Sequence, residues 1–92
     1  MAKLSTLAVR RRLAGLKNWK QAGNAIQKQF TFGDFKQAMF FVNGVASLAE
    51  RAGHHPDILI TYNRVTLSLS THDAGGITSK DFDLAKRTDA LL

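Results

Sequence analysis

With 92 residues the chain is sized for one domain spanning residues 1–92, and a fold this small buries only roughly 60–65% of its unfolded surface, so partner surfaces matter to it. Hydrophobic residues make up 45% and charged residues 22%, a globular composition that excludes disorder. The absence of cysteine excludes a disulfide scaffold, thiol catalysis and thiolate metal sites.

The net charge of +6 is unevenly placed. Residues 1–33 hold seven basic groups and no acid, whereas residues 34–92 hold six basic and seven acidic groups. A basic segment attracts nucleic acid or anionic lipid. The basic positions 3–28 enclose one aromatic, Trp19, with Phe30 just beyond, and no nucleic-acid motif is present. A solvated helix face is therefore expected, with no direct nucleic-acid binding. The opening segment, with Arg10-Arg11-Arg12, also has the composition of a transit peptide. No secretory h-region is present, and the longest apolar run, residues 38–42, falls far short of the ~20 residues needed to span a bilayer. A soluble, cytoplasmic protein without membrane association is expected.

In chain order, Ser5 suits the N-cap of a helix over roughly 5–15, with Val9, Leu13 and Leu16 at helical spacing. Trp19 falls in a short extended segment closed by a turn at Gly23-Asn24. Residues 25–32 alternate, placing Ile26, Phe30 and Phe32 on one face of a strand, with Lys28 as the polar intruder. Asp34 caps a helix over 35–52, where Phe35, Ala38, Met39, Val42, Val45, Ala46 and Ala49 form a stripe widened by Phe41 and Leu48. Gly53 suits its C-terminal turn. Two strands follow, Ile58, Ile60 and Tyr62 in one and Val65, Leu67 and Leu69 in the other, joined by Asn63-Arg64. Thr78 or Ser79 caps a last helix over 80–91 carrying Phe82, Leu84, Ala85 and Leu91. The order α-β-β-α-β-β-α predicts an α+β fold, an antiparallel four-stranded sheet packed by three helices.

Every histidine lies within residues 54–72. A turn at Asn63-Arg64 pairs 62 with 65, 60 with 67 and 58 with 69. Continued, that ladder sets His55 opposite His72 and His54 opposite Asp73. Clustered imidazoles suit general acid–base work, since imidazole titrates near pH ~6.5. Zinc is the competing chemistry, but adjacent His54 and His55 point to opposite sides of an extended chain and lack the usual ligand spacing. Asp81, Asp83 and Asp89 read most simply as surface groups of the last helix.

Glu50, His54-His55-Pro56, Tyr62, His72 and Asp81, at these spacings, resemble the signature of the pterin-4a-carbinolamine dehydratases. Trp19, the segment Phe30-Thr31-Phe32-Gly33-Asp34-Phe35, the Tyr62-Asn63-Arg64-Val65 turn and Ser70-Thr71-His72 extend the likeness over nearly the whole chain. The resemblance implies a hydro-lyase that dehydrates 4a-hydroxytetrahydropterin to quinonoid dihydropterin. That step recycles the tetrahydropterin of aromatic amino-acid hydroxylases, with no metal and no cofactor beyond the pterin substrate. It also implies homodimers or homotetramers. Some members of the family serve as dimerisation partners of a homeodomain transcription factor, so a non-catalytic interaction module on the same fold is the alternative. Retention of three histidines favours the enzyme.

The resemblance assigns His54, His55 and His72 to the pterin pocket, and Gly53, Pro56, Ser70, Thr71 and Asp73 to positions lining the substrate. Glu50, Tyr62 and Asp81 take supporting places. One of His54 and His55 would protonate the leaving hydroxyl and the other would remove the N5 proton, while His72 orients the ring. Gly53 stands where the family often has a polar residue, so a partner for His54 is expected from Asp73.

Overall fold

Local capping chemistry sets where each helix begins. The structure, a computed structural model, describes residues 2–92. Helix α1 (Thr6–Leu13) starts where Ser5 Oγ accepts the Ala8 N–H at 3.1 Å, which satisfies one of the first-turn donors left unpaired by helix geometry. Val9 is buried beneath it, while Arg10, Arg11 and Arg12 are all exposed. The Arg12 guanidinium lies 5.8 Å from the centroid of the Phe82 ring, so part of this basic stretch packs as well as solvates.

Strands β1 (Lys20–Ala22) and β2 (Ala25–Thr31) precede α2 (Phe35–Ala52), which begins where Asp34 Oδ1 accepts the Gln37 N–H at 2.8 Å. Strands β3 (Asp57–Thr61) and β4 (Arg64–Leu69), a 3₁₀ turn at His72–Ala74 and α3 (Ser79–Asp89) complete the chain. All pairings are antiparallel, and the sheet order is β1-β2-β4-β3. The α+β class and element order expected from the sequence are those observed.

One face of the sheet carries Ile26, Phe30, Val65, Leu67 and Leu69, all buried with Ala38, Phe41 and Val45 of α2 and Phe82, Leu84 and Ala85 of α3. Each large side chain withdrawn from water in this way contributes about 1.5–3 kcal/mol before entropy is counted. The buried line of α2 is Ala38, Phe41, Val45 and Ala49; Phe35 and Ala46 are exposed. The stripe is therefore rotated toward Phe41 relative to the expected one. Phe41 is seated against both Phe30 (4.7 Å between centroids) and Phe32 (5.0 Å), and that aromatic cluster fixes which side of the helix faces the sheet. Leu91 lies beyond the end of α3 and is exposed.

Lys28 sits on the apolar side of β2 because it has a partner there. Its ammonium lies 2.8 Å from Asp89 Oδ1 and 4.8 Å from the Phe30 ring centroid. Asp89 Oδ2 also accepts from Trp19 Nε1 at 3.0 Å. Asp89 is thus not a simple surface group; it ties α3 to β2 and to the buried Trp19.

The β3–β4 register differs by two residues from the expected one. Ile60 pairs with Val65 and Ile58 with Leu67, and the last pair is Asp57 with Ser68. The loop is Tyr62-Asn63, with Tyr62 taking the positive φ of 53°. Asn63 is held by Phe32, the residue that follows β2: its Nδ2 donates to the Phe32 carbonyl at 2.9 Å, and the Phe32 N–H donates to the Asn63 carbonyl at 2.8 Å. A shift of two keeps every side chain on its face, so the apolar surface is as expected while the partners change. No helix among the described residues is long and apolar enough to cross a membrane.

Candidate active site

The histidines meet where α2 ends, β4 ends and α3 begins. Gly53 turns the chain out of α2 with a φ of 61°. The His54 N–H donates to the Ala49 carbonyl at 3.1 Å and the Gly53 N–H to the Glu50 carbonyl at 3.3 Å, the paired bonds of a Schellman cap. A residue with a Cβ would be strained at this φ, so glycine here gives a sharp exit that delivers His54 directly beside α3. His54 and His55 precede β3, and His72 follows β4 in the 3₁₀ turn. They are gathered by these chain ends and not by ladder pairs, which correct the expected His55–His72 and His54–Asp73 pairings.

His54 Nε2 lies 2.5 Å from Asp81 Oδ1. Asp81 is fully buried, a second departure from the surface-group reading. Its Oδ2 accepts from the Thr71 hydroxyl at 3.0 Å and from the Thr78 N–H at 2.9 Å. The latter bond belongs to a capping box at the start of α3, in which Thr78 Oγ1 accepts the Lys80 N–H at 3.3 Å. Thr71 and Thr78 hydroxyls are 2.7 Å apart. Because the Thr71 proton is given to Asp81, Thr78 is the donor in that bond. A carboxylate only accepts, so His54 carries its proton on Nε2 and keeps Nδ1 as the ring nitrogen free for other chemistry. The partner expected from Asp73 is therefore supplied by Asp81.

His55 has a different setting. Its Nε2 lies 2.6 Å from Glu50 Oε2, with the side chains 63% and 77% exposed, against 11% and 0% for His54 and Asp81. The two adjacent imidazoles thus each meet one carboxylate, one inside the fold and one in solvent.

A cleft of about 270 Å³ opens between these segments. Gly53, His54 and His55 form one wall; Ser70, Thr71, His72 and Asp73 form another, and Lys80 closes one side. Seven of the residues named from the sequence are thereby brought together. Glu50 reaches the group through His55 and Asp81 through His54. Pro56 is half-buried between His55 and the start of β3, and it does not line the cleft. Tyr62 is at the opposite end of β3, exposed in the hairpin loop, so it shapes the turn and not the cleft. Among the described residues, no group of three His, Asp or Glu side chains is disposed to hold a metal ion.

Sequence reasoning missed Lys80 and the buried role of Thr78. The signal was available in Thr78-x-x-Asp81, a capping-box spacing that turns the Asp81 carboxylate back toward the helix start and leaves Lys80 beside it.

The family model described as Pterin 4 alpha carbinolamine dehydratase matches residues 2–91. A relative from Acidobacterium capsulatum, provisionally named a pterin-4-alpha-carbinolamine dehydratase, is 55% identical over the full length of both chains. One from Sulfurisphaera tokodaii with the same provisional name is 49% identical over 100% of this chain and 99% of its own. A crystal structure described as a transcriptional coactivator/pterin dehydratase from Brucella melitensis superposes with a TM-score of 0.93 at 33% identity, covering 97% of each chain. A pterin dehydratase-like protein identified as a RuBisCO assembly factor in the alpha-carboxysome superposes with a TM-score of 0.70 at 28% identity, over 83% of this chain and 90% of that one. With a family match spanning nearly every residue and a relative more than half identical end to end, the chain belongs to the pterin 4 alpha carbinolamine dehydratase family.

Proposed function

We propose that the protein dehydrates 4a-hydroxytetrahydropterin to quinonoid dihydropterin by histidine general acid–base catalysis. The N5 lone pair forms the C4a=N5 bond as the C4a–O bond breaks. The hydroxyl leaves as water after taking a proton from an acid, and the N5 proton passes to a base. The reaction is a redox-neutral loss of water in which the protein has only protons to give and take, so it calls for paired imidazoles and no further cofactor. The observation that carries this reading is the His54–Asp81 pair at the edge of a cleft that His55 and His72 also line. Asp81 fixes the His54 tautomer, and a base or acid so fixed contributes typically ~10²–10⁴-fold. His54 and His55 are the proton-transfer groups of this reading, and His72 orients the pterin.

The reaction class that would supply such a substrate is a tetrahydropterin-dependent aromatic amino-acid hydroxylase. The test is stopped-flow decay of the carbinolamine with and without the protein. Faster decay that survives dialysis against EDTA supports the reading; decay at the uncatalysed rate removes it and leaves the interaction-module alternative, a role of the kind that the carboxysome relative's description names.

Self-association is part of the same proposal. Phe40 is 83% exposed on α2 and Leu59 62% exposed on the edge strand β3. Large apolar groups left in solvent are commonly covered in symmetric assemblies, and an edge strand invites pairing. Light scattering at micromolar concentration is expected to give a dimer or tetramer mass; a strict monomer would contradict this.

A further inference from the structure

A second cleft of about 270 Å³ adjoins the histidine cleft and shares two of its walls, His54 and Lys80. Its other charged walls are Arg51, from the last turn of α2, and Asp83 and Arg87 of α3, beside the buried Leu84. Residues 80, 83, 84 and 87 follow at helical steps of three and four, so α3 presents them as one stripe. Arg51, Lys80, Asp83 and Arg87 are all exposed. Among the described residues, none of the three cations is within ion-pair distance of a carboxylate. Asp83 and Arg87 have the spacing at which such pairs form on a helix, yet they do not pair. Three cations set against one carboxylate leave the groove positive, and among the described residues no ion pair or cation–π contact engages Arg51, Lys80 or Arg87.

The proposed proton transfers involve a pterin ring and imidazoles, and they give three cations beside the cleft no task. A negative group carried by the substrate would give them one. Because His54 and Lys80 border both clefts, a substituent reaching past them from a ring in the first would enter the second. We propose that this groove is a subsite for an anionic group, phosphate or carboxylate, on the side chain of the pterin substrate. The inference rests on the dehydratase reading and adds a substrate class to it. Arg51 and Arg87 would grip the anion through charge-assisted hydrogen bonds, while Asp83 would oppose it.

The test is calorimetric titration of the protein with three ligands under anaerobic conditions: dihydroneopterin, its phosphate monoester, and dihydrofolate, whose side chain ends in glutamyl carboxylates. At least one anionic ligand is expected to bind about tenfold more tightly than dihydroneopterin, with the gain shrinking as salt is raised. The two anionic arms distinguish a phosphate from a carboxylate preference. Arg51→Gln/Arg87→Gln should abolish the gain and leave dihydroneopterin affinity unchanged. Asp83→Asn should enlarge the gain, a change of opposite sign that simple misfolding would not produce. Equal binding of all three ligands, or a gain that persists in the double arginine variant, would overturn the subsite while leaving the dehydratase reading intact. Failure of every pterin to bind would remove that reading, and this inference with it.

Discussion

His54 and His55 are neighbours in the chain and each faces a carboxylate at hydrogen-bond distance, but the two pairs are built differently. His55 meets Glu50, five residues back in the last turn of α2, and both side chains stand in solvent. His54 meets Asp81, twenty-seven residues on, inside the fold and beneath two threonine hydroxyls and a helix cap. Exposed ion pairs contribute about 0–1 kcal/mol and are easily rearranged, whereas removing one partner of a buried pair costs several kcal/mol. The local pair is therefore a weak and movable restraint. The long-range pair is a fixed one, and it couples the orientation of an imidazole to the correct docking of α3 on the rest of the domain.

The largest effects should fall on the histidines themselves. His54→Ala and His55→Ala are each expected to lower the dehydration rate by about 10²–10⁴-fold, the first with a loss of stability because it leaves the buried Asp81 carboxylate without its imidazole, the second with the fold unperturbed. Circular dichroism checks the fold and stopped-flow decay the rate. If the two act as a unit, the double variant loses less than the product of the separate losses. Full activity in both single variants would remove them from the mechanism.

Next comes the carboxylate beneath His54. Asp81→Ala strands the Thr71 hydroxyl and the Thr78 N–H, a loss of about 2–4 kcal/mol. In a domain of this size that lowers Tm by roughly 10–25 °C. Asp81→Asn keeps the shape and most of the stability, but its amide cannot hold the His54 tautomer in the same way. Thermal melts and rates on the two variants separate the structural from the positioning role.

Glu50→Gln is the matched change on the exposed pair. It is expected to shift stability by less than ~0.5 kcal/mol, and a thermal melt as large as that of Asp81→Ala would erase the contrast between the pairs. Smallest of all is Arg10→Gln/Arg11→Gln. Both arginines are exposed on α1 and neither lines the histidine cleft, so the rate should stay within a factor of about two.

The legible part of this site was the part written in local signals. The Gly53 turn, the Asp34 and Thr78 caps, the alternation along β2 and the loop-flanked histidine cluster all follow from neighbours in the sequence. The Thr78-x-x-Asp81 spacing marks Asp81 as a cap-facing carboxylate, but a cap-facing group can stand in solvent, so its burial was not legible. Its burial is decided by Thr71 and His54, which arrive from other elements. The hairpin register failed for a similar reason. Asn63 is the residue with the better left-handed propensity, but it is tied by hydrogen bonds to Phe32, just past the end of β2, and the positive φ falls on Tyr62. The α2 stripe was rotated by the aromatic cluster around Phe41, and Asp89 was claimed by Lys28 and Trp19. In each case a long-range partner overrode a reading that local pattern left balanced.

One comparison of rates bears most directly on the central claim, that the buried His54–Asp81 pair is the fixed element of the proton-transfer machinery. Stopped-flow decay of 4a-hydroxytetrahydropterin would be followed with wild type, Asp81→Asn and Glu50→Gln, each shown to be folded. The expected result is rapid decay with wild type, nearly unchanged decay with Glu50→Gln, and a fall of about tenfold or more with Asp81→Asn. Folded Asp81→Asn protein that works as fast as wild type, with the loss falling on Glu50→Gln instead, would contradict it.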